Sequence, residues 1–145
     1  MNFLKKWWPS AITLLVVLYA TLWPDPVGAD RVMLFPGADK LIHAIMMGGL
    51  LSAFLFDFRR QGKSLTARFV IIMAVIVVIF SAFDEYAQKT MNLGRSFELL
   101  DLLADAGGVL IAAVTAPPVI NRIFRKSKPL DSQSRFVNKY KCTDE

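Results

Sequence analysis

Four long apolar stretches limit the folds open to this chain of 145 residues. Each is roughly 15–20 residues long, the length that an α-helix needs to cross the hydrocarbon core of a membrane. They are Trp7–Trp23, Leu41–Phe58, Phe69–Phe83 and Phe97–Val119. Within lipid the backbone has to satisfy its own hydrogen bonds, so even the stretch rich in Val and Ile is expected to be helical. The sequence therefore predicts an all-α fold, an integral membrane four-helix bundle.

The first stretch has a second interpretation. Lys5 and Lys6 precede it and Val27-Gly28-Ala29 follows it, which is also the pattern of a signal peptide with its cleavage site. The Trp residues at both of its ends instead suit a helix that is anchored at two membrane interfaces. We favour the membrane helix.

Polar residues and prolines mark where the helices begin and end. Asp39 is the predicted N-cap of the second helix and Ser96 that of the fourth, because their side-chain oxygens can accept a hydrogen bond from an unpaired backbone amide. Pro117-Pro118 is predicted to end the fourth helix. We therefore predict a membrane domain over residues 1–120 and a polar cytoplasmic tail over residues 121–145.

Basic residues are concentrated at the N-terminus, in the second loop and in the tail. They are Lys5, Lys6, Arg59, Arg60, Lys63, Arg68, Arg122, Arg125, Lys126 and Lys128. The positive-inside rule places such segments in the cytoplasm. The sequence thus predicts a multi-pass protein of the inner (cytoplasmic) membrane with both termini cytoplasmic. The positive charge is expected to set the orientation of the chain in the lipid bilayer. It does not indicate nucleic acid as a partner.

This topology brings polar residues of three helices to one level at the outer side of the membrane. They are Asp39, Lys40 and His43, then Asp84, Glu85 and Gln88, then Arg95, Ser96, Glu98, Asp101 and Asp105. Ionisable groups within a membrane are costly and mark functional sites by default. Residues one helical turn apart share a face, so Asp84 points the same way as Gln88, and Asp101 the same way as Asp105.

Small residues recur at every fourth position in the second and fourth helices. They are Ala44, Gly48 and Ser52, and Ala104, Gly108 and Ala112. This spacing lets two helix backbones approach closely, so these two helices are predicted to be neighbours. Because Asp101 and Asp105 lie on the same stripe as Gly108, the acidic face of the fourth helix should point into the bundle.

Four short pieces of the chain carry a resemblance to a known family. They are Asp39-Lys40-Leu41-Ile42-His43, Asp84-Glu85-Tyr86-Ala87-Gln88, Gly94-Arg95-Ser96, and the segment from Asp101 through Asp105 to Gly108. From about Asp39 to Ala113 the sequence resembles the VanZ-like family of small membrane proteins. Ala44 and Met47 depart from the family pattern, which usually has an aromatic residue and a tyrosine there. The family takes its name from a protein linked to resistance to the glycopeptide teicoplanin, and the resemblance supplies no activity.

The outer polar residues are candidates for binding a ligand. They are Asp39, Lys40, His43, Asp84, Glu85, Gln88, Arg95, Ser96, Asp101 and Asp105. The guanidinium of Arg95 can hold a phosphate or carboxylate in a bidentate manner, which suits an anionic head group or a lipid-linked envelope precursor. His43 has three interpretations: a metal ligand, a proton carrier, or a hydrogen-bonded residue at a helix end.

Three classes of function fit these residues. We favour a binding or structural membrane protein, whose polar cluster holds the bundle together or receives a lipid head group or a cell-envelope ligand without chemistry. A contribution to teicoplanin resistance is what the family resemblance implies. The alternative is a membrane-embedded enzyme on a lipid-linked or envelope substrate, with Asp84, Asp101 and His43 as candidates for acid/base or metal-assisted catalysis and a divalent metal as candidate cofactor. A proton or ion pathway ranks last, because the charges cluster on one side of the membrane.

Overall fold

The computed structural model describes residues 3–22, 38–90 and 99–126. Within them the chain forms four α-helices: α1 (Phe3–Leu22), α2 (Ala38–Arg60), α3 (Ala67–Thr90) and α4 (Leu99–Lys126). These helices coincide with the four apolar stretches, so the predicted all-α bundle is confirmed. The predicted N-cap Ser96 lies outside the described residues.

Three of the helices, α2, α3 and α4, are long and apolar enough to cross a membrane. The fourth, α1, is apolar over Lys6–Leu22 but shorter. Large apolar side chains such as Leu15, Ile71 and Leu110 are exposed on the outside of the bundle. Such a surface is unfavourable in water, whereas it is the surface that a bundle presents to lipid. The molecule therefore has the character of a membrane protein.

The bundle is built around α2, which contacts each of the other three helices. Apolar side chains from all four helices fill the space between them. The most completely buried are Val17, Met47, Leu50, Leu51, Leu55, Val77 and Val109. Four of these seven belong to α2, so this helix supplies the centre of the core.

The closest packing is between α2 and α4, as the small-residue stripes predicted. A methyl group added to Gly48 would lie 2.8 Å from the carbonyl oxygen of Gly108. A methyl group added to Gly108 would collide with the carbonyl of Ala44. Glycine is required at these positions because the two backbones touch. The prediction that α2 and α4 are neighbours is confirmed.

The start of α1 is fixed by a residue of α2. At Trp7 the backbone angles are φ −120° and ψ 19°, so the helix is interrupted there, and Pro9 lies in the first turn after the break. The amide of Ser10 is then an unpaired donor, and it donates to Oδ2 of Asp57 over 2.9 Å. The Ser10 hydroxyl donates to the same oxygen over 2.6 Å. Asp57 thus caps α1 from another helix.

The prediction that Asp39 is the N-cap of α2 is wrong. The helix begins at Ala38, and Asp39 lies inside its first turn. A carboxylate is still favoured there, because the first turn carries the positive end of the helix dipole.

The prediction that Pro117-Pro118 ends the fourth helix is also wrong, because α4 continues to Lys126. Two adjacent prolines remove two amide donors, a loss that tertiary contacts can offset in a membrane helix. Beyond the prolines, Phe124 packs on Phe56 of α2 with ring centroids 5.4 Å apart. Residues 121–126, which were assigned to the polar tail, are therefore helical.

The helices alternate in direction, which gives the bundle two chemically different ends. The acidic end comprises the end of α1 at Thr21, residues 38–43 of α2, residues 81–90 of α3 and residues 99–105 of α4. The basic end carries Lys6, Arg59, Arg60, Lys63, Arg68, Arg122 and Arg125. The polar residues predicted to share one level lie at the acidic end, as far as the structure describes them.

Candidate functional site

Two ion pairs join α2 to α4 at the acidic end. Nζ of Lys40 lies 3.1 Å from Oδ1 of Asp101, and Nδ1 of His43 lies 3.4 Å from Oδ1 of Asp105. The Lys40 side chain is 33% exposed, whereas the His43 and Asp105 side chains are 6% and 3% exposed. The second pair is one helical turn deeper in the bundle than the first. Because water is excluded there, the contact between the imidazole and the carboxylate is weakly screened, and it is an ion pair when the imidazole is protonated.

A third helix reaches the deeper pair through Ser81 of α3. Its hydroxyl donates a hydrogen bond to Oδ2 of Asp105. Ser81, Asp105 and His43 therefore form a chain across three helices, with the carboxylate in the middle. The hydroxyl contacts the carboxylate and not the imidazole, so this order differs from that of a serine nucleophile activated by histidine. What the carboxylate can do here is orient the imidazole.

Asp84 connects α1 to the same end of the bundle. Its Oδ1 accepts a hydrogen bond of 3.0 Å from the Thr21 hydroxyl, and its Oδ2 accepts one of 3.1 Å from the Gln88 amide. Both oxygens of this buried carboxylate are therefore satisfied within the protein. Asp84 also lies within electrostatic range of His43 and Asp105. All four helices thus contribute side chains to one polar region.

Asp39 forms a compact group with His43 and Asp101. One nitrogen of His43 and one carboxylate oxygen of each aspartate lie within 4.8 Å of one another. Asp39 is exposed, whereas the other two residues are buried. An imidazole together with two carboxylates is a donor set that divalent metal ions accept.

Three buried atoms of this region make no hydrogen bond to any described residue. They are Nδ1 of His43, Oδ1 of Asp101 and Oδ1 of Asp105. Asp101 lies within ion-pair distance of Lys40, and His43 and Asp105 lie within ion-pair distance of each other, but the geometry does not meet that of a hydrogen bond. Buried polar groups are normally hydrogen-bonded, and exceptions mark positions that bind a further group. Since Nδ1 of His43 and Oδ1 of Asp105 face each other, Oδ1 of Asp101, beside the partly exposed Lys40, is the atom that gives this region a capacity to bind.

The structure brings most of the predicted site residues together at the acidic end. They are Asp39, Lys40, His43, Asp84, Gln88, Asp101 and Asp105. Glu85 is buried at this end as well and has an interaction partner of its own. Arg95 and Ser96 lie outside the described residues, so their roles stay predictions.

Two residues of the network, Thr21 and Ser81, were not predicted from the sequence. Both are single hydroxyls within apolar stretches, and such hydroxyls commonly bond to their own helix backbone. Thr21 has this choice too, since the Val17 carbonyl lies 3.0 Å from its hydroxyl as an alternative acceptor to Asp84 for the single hydroxyl proton. For Ser81 a signal was present, because it lies three residues before Asp84 and so shares its helix face.

A family model described as VanZ/LLP1 matches residues 2–124 of the chain. This match covers most of the chain and every described residue of the acidic end. The chain belongs to the VanZ/LLP1 family. The resemblance predicted from Asp39 to Ala113 is thereby confirmed and extended to α1. No curated protein and no solved structure matches the chain.

In this VanZ/LLP1 protein an open apolar groove runs from the acidic end along the seam between α2 and α4. Its first part has a volume of about 270 Å³ and begins at Leu41 and Ala44, the residues that directly follow Lys40 and His43 in the chain. Its second part, of about 540 Å³, continues toward the basic end. Ser52 and Thr115 line both parts, so the groove is continuous.

Proposed function

We propose that the acidic end binds the polar head group of a lipid or of a lipid-linked cell-envelope precursor at the outer face of the inner membrane. The observation that carries this proposal is the concentration of buried ionisable side chains at one end of the bundle, among them His43, Asp84, Asp101 and Asp105. Taking charges out of water is costly, and apolar side chains of similar volume often give equal or greater stability. A structural role alone therefore accounts poorly for so many buried ionisable groups, whereas a binding site requires them.

The groove between α2 and α4 supports a lipid as the ligand. It is lined mainly by apolar side chains and begins at Leu41 and Ala44, which directly follow Lys40 and His43 in the chain. An acyl or prenyl chain lying in it would place its head group against the polar residues. Membrane lipids offer this combination of an apolar chain and a polar head, whereas a soluble envelope ligand would leave the groove unused.

The charges at the acidic end indicate which head-group atoms each residue would contact. Asp84, Asp101 and Asp105 suit hydroxyl or amine groups, which donate hydrogen bonds to carboxylates. Lys40 suits phosphate oxygens, and so does Arg95, which the sequence predicts at the same side of the membrane. A lipid whose head group carries a phosphate and also hydroxyl or amine groups would contact both the basic and the acidic residues.

We further propose that this binding contributes to glycopeptide resistance. The support is membership in the VanZ/LLP1 family together with the teicoplanin link that the resemblance implies. If the protein binds an envelope precursor at the outer face, it changes how accessible that precursor is to a glycopeptide. Because such an effect requires an outward-facing site, it depends on the predicted topology.

An enzyme acting on the same lipid class is the second candidate. The chain Ser81–Asp105–His43 favours it, because a carboxylate that orients an imidazole is a common arrangement for general acid/base catalysis. Asp84 and Asp101 are the other candidates for proton transfer. In this function the bound lipid is chemically changed, whereas in the first it is released intact.

Lipid retention by the purified protein tests the first proposal. The protein in micelles is mixed with phosphatidylglycerol, phosphatidylethanolamine and a polyprenyl phosphate. Native mass spectrometry then identifies each retained lipid by its mass and measures the fraction of protein that carries it. We expect Asp84→Asn and Asp101→Asn each to weaken retention about 10-fold or more, the usual effect of removing one buried polar partner. Leu110→Ala, which alters an exposed apolar side chain away from the site, is the control and should retain lipid like the wild type. Equal retention by all four proteins would exclude the acidic end as the head-group site.

The same variants separate binding from catalysis and from a structural role. A change in the mass of the retained lipid on incubation would identify an enzyme. In a teicoplanin-susceptible host, Asp84→Asn and Arg95→Ala should lose any resistance while the purified proteins keep their melting temperatures. A loss of resistance that merely follows protein level would instead assign the cluster to folding.

A further inference from the structure

We infer that Asp39, His43 and Asp101 form a binding site for a divalent metal ion of the zinc type. Their candidate ligand atoms lie within 4.8 Å of one another, two from the start of α2 and one from the start of α4. Imidazole nitrogen and carboxylate oxygen are both common zinc ligands. Three protein ligands leave a further coordination position open for a water or for an oxygen of a bound molecule.

The three ligand atoms can close on an ion with small side-chain movements. Zinc bonds to N and O of about 2.0–2.2 Å place neighbouring tetrahedral ligands roughly 3.5 Å apart. The present separations are at most 4.8 Å, so the donors have to approach by little more than 1 Å, or about one rotation of a side chain. Asp39 is exposed in the first turn of α2 and is free of core packing, so it is the residue that can move.

A second observation concerns His43, whose side chain is more than nine-tenths buried. Its Nδ1 faces Oδ1 of Asp105 at 3.4 Å, within ion-pair distance. Metal-bound histidines usually direct their other ring nitrogen at a carboxylate, which fixes the ring and its tautomer. The Ser81 hydroxyl in turn holds Asp105. His43 is therefore oriented as a metal ligand would be, with Nε2 as the coordinating nitrogen.

Asp101 supplies the third observation. Its buried Oδ1 makes no hydrogen bond, although Nζ of Lys40 lies 3.1 Å away. The ammonium of Lys40 is partly exposed and compact, and it occupies the position of a counter-ion beside this carboxylate. A metal ion at Asp101 would displace it. Lys40 is therefore a built-in competitor, and its removal should strengthen metal binding.

The inference rests on the proposed binding role of the acidic end, but the two can fail separately. Lipid retention without metal binding would overturn only the metal site. Metal binding without lipid retention would overturn only the head-group proposal. The experiment below therefore uses zinc alone, in lipid-free micelles.

The test is zinc binding by the full chain, purified without a histidine tag and stripped of metal. We expect one zinc ion per chain in competition with a fluorescent chelator, and an X-ray absorption spectrum that contains one imidazole and oxygen ligands. Asp39→Asn and Asp101→Asn should each weaken binding at least 10-fold, and Lys40→Met should tighten it. Leu110→Ala is the control, since it alters an exposed apolar side chain of α4 away from the three ligands and should leave zinc affinity unchanged.

Asp105→Asn tests the positioning role of that carboxylate. It should weaken zinc binding about 10- to 100-fold without changing the stoichiometry, the usual effect of losing a partner of a ligating histidine. Absence of stoichiometric binding of both Zn²⁺ and Mn²⁺ by the wild type would overturn the inference. So would unchanged affinity in Asp39→Asn, a substitution at an exposed position that leaves the core intact.

Discussion

Asp57 shows why single charged residues can be buried in this bundle. It is 0% exposed at the basic end, and one of its oxygens accepts hydrogen bonds from the amide and hydroxyl of Ser10. The guanidinium of Arg60 lies 3.7 Å from its other oxygen and also donates to the Lys6 carbonyl. A buried charge is tolerated only while such partners are present. Asp57 therefore ties the start of α1 to α2.

Asp57→Ala should lower the free energy of unfolding by about 3 kcal/mol, because it leaves the Ser10 amide and Arg60 without their buried partner. Asp39→Ala removes an exposed carboxylate from the same helix and, in metal-free buffer, should change stability by less than about 0.5 kcal/mol. Denaturant titration in micelles, followed by circular dichroism, compares the two. Similar stability of both variants would mean that the cap contributes little.

At the scale of the helix, the seam between α2 and α4 decides how the bundle packs. Gly48 and Gly108 let the two backbones touch, while Gly49 and Gly107 beside them face open space. Each helix therefore offers a pair of neighbouring glycines of which one is in the contact and the other is not. Replacing both glycines of a pair by alanine therefore separates the steric effect on the helix contact from the general effect of replacing glycine in a helix.

Gly108→Ala should destabilise the protein by about 1–3 kcal/mol, because the added methyl group meets the Ala44 carbonyl. Gly107→Ala meets no atom within 4 Å and should be neutral or stabilising by up to about 1 kcal/mol. Gly48→Ala and Gly49→Ala repeat the comparison on α2. Thermal unfolding in micelles measures all four, and equal melting temperatures within each pair would contradict the close contact.

The sequence predicted the helices and this seam because both depend on local patterns. Apolar length identifies a membrane helix, and small residues at four-residue spacing identify its contact face. The continuation of α4 past Pro117-Pro118 was not predictable in this way, because it depends on contacts with α2 such as Phe124 on Phe56.

The part of the site that consists of ionisable residues was predictable, because a charged residue within an apolar stretch is itself a signal of a polar site. The acids, His43 and Lys40 stand out within apolar stretches, and helical spacing turns their faces inward. Thr21 and Ser81 do not stand out, because a hydroxyl in a membrane helix needs no external partner. The cap by Asp57 on Ser10 was also missed, since residues 47 positions apart are joined only by the tertiary fold.

At the scale of the whole molecule, the two ends of the bundle differ in charge. The basic end carries cations of the kind that the positive-inside rule places in the cytoplasm, where we expect them to contact anionic lipid. The acidic end carries the buried network and the proposed ligand sites. Because both the head-group and resistance proposals need an outward-facing acidic end, they share one requirement that can be tested without any ligand.

That requirement is a topology in which both termini and the loop between α2 and α3 are cytoplasmic. The reason is the concentration of Lys and Arg at the basic end, which resists translocation across the membrane. Reporter fusions after Lys63 and after Lys128 should therefore read cytoplasmic, and a fusion after Thr90 should read outside.

Cys142 provides an independent control for this topology, because it is the only cysteine of the chain and lies in the tail. In intact cells or spheroplasts it should resist a membrane-impermeant thiol reagent and should react after the membrane is opened. An outside reading at Lys63, or labelling of Cys142 in intact cells, would place the acidic end in the cytoplasm. His43, Asp84 and Asp101 would then face cytoplasmic molecules, and an envelope ligand would have no access to them.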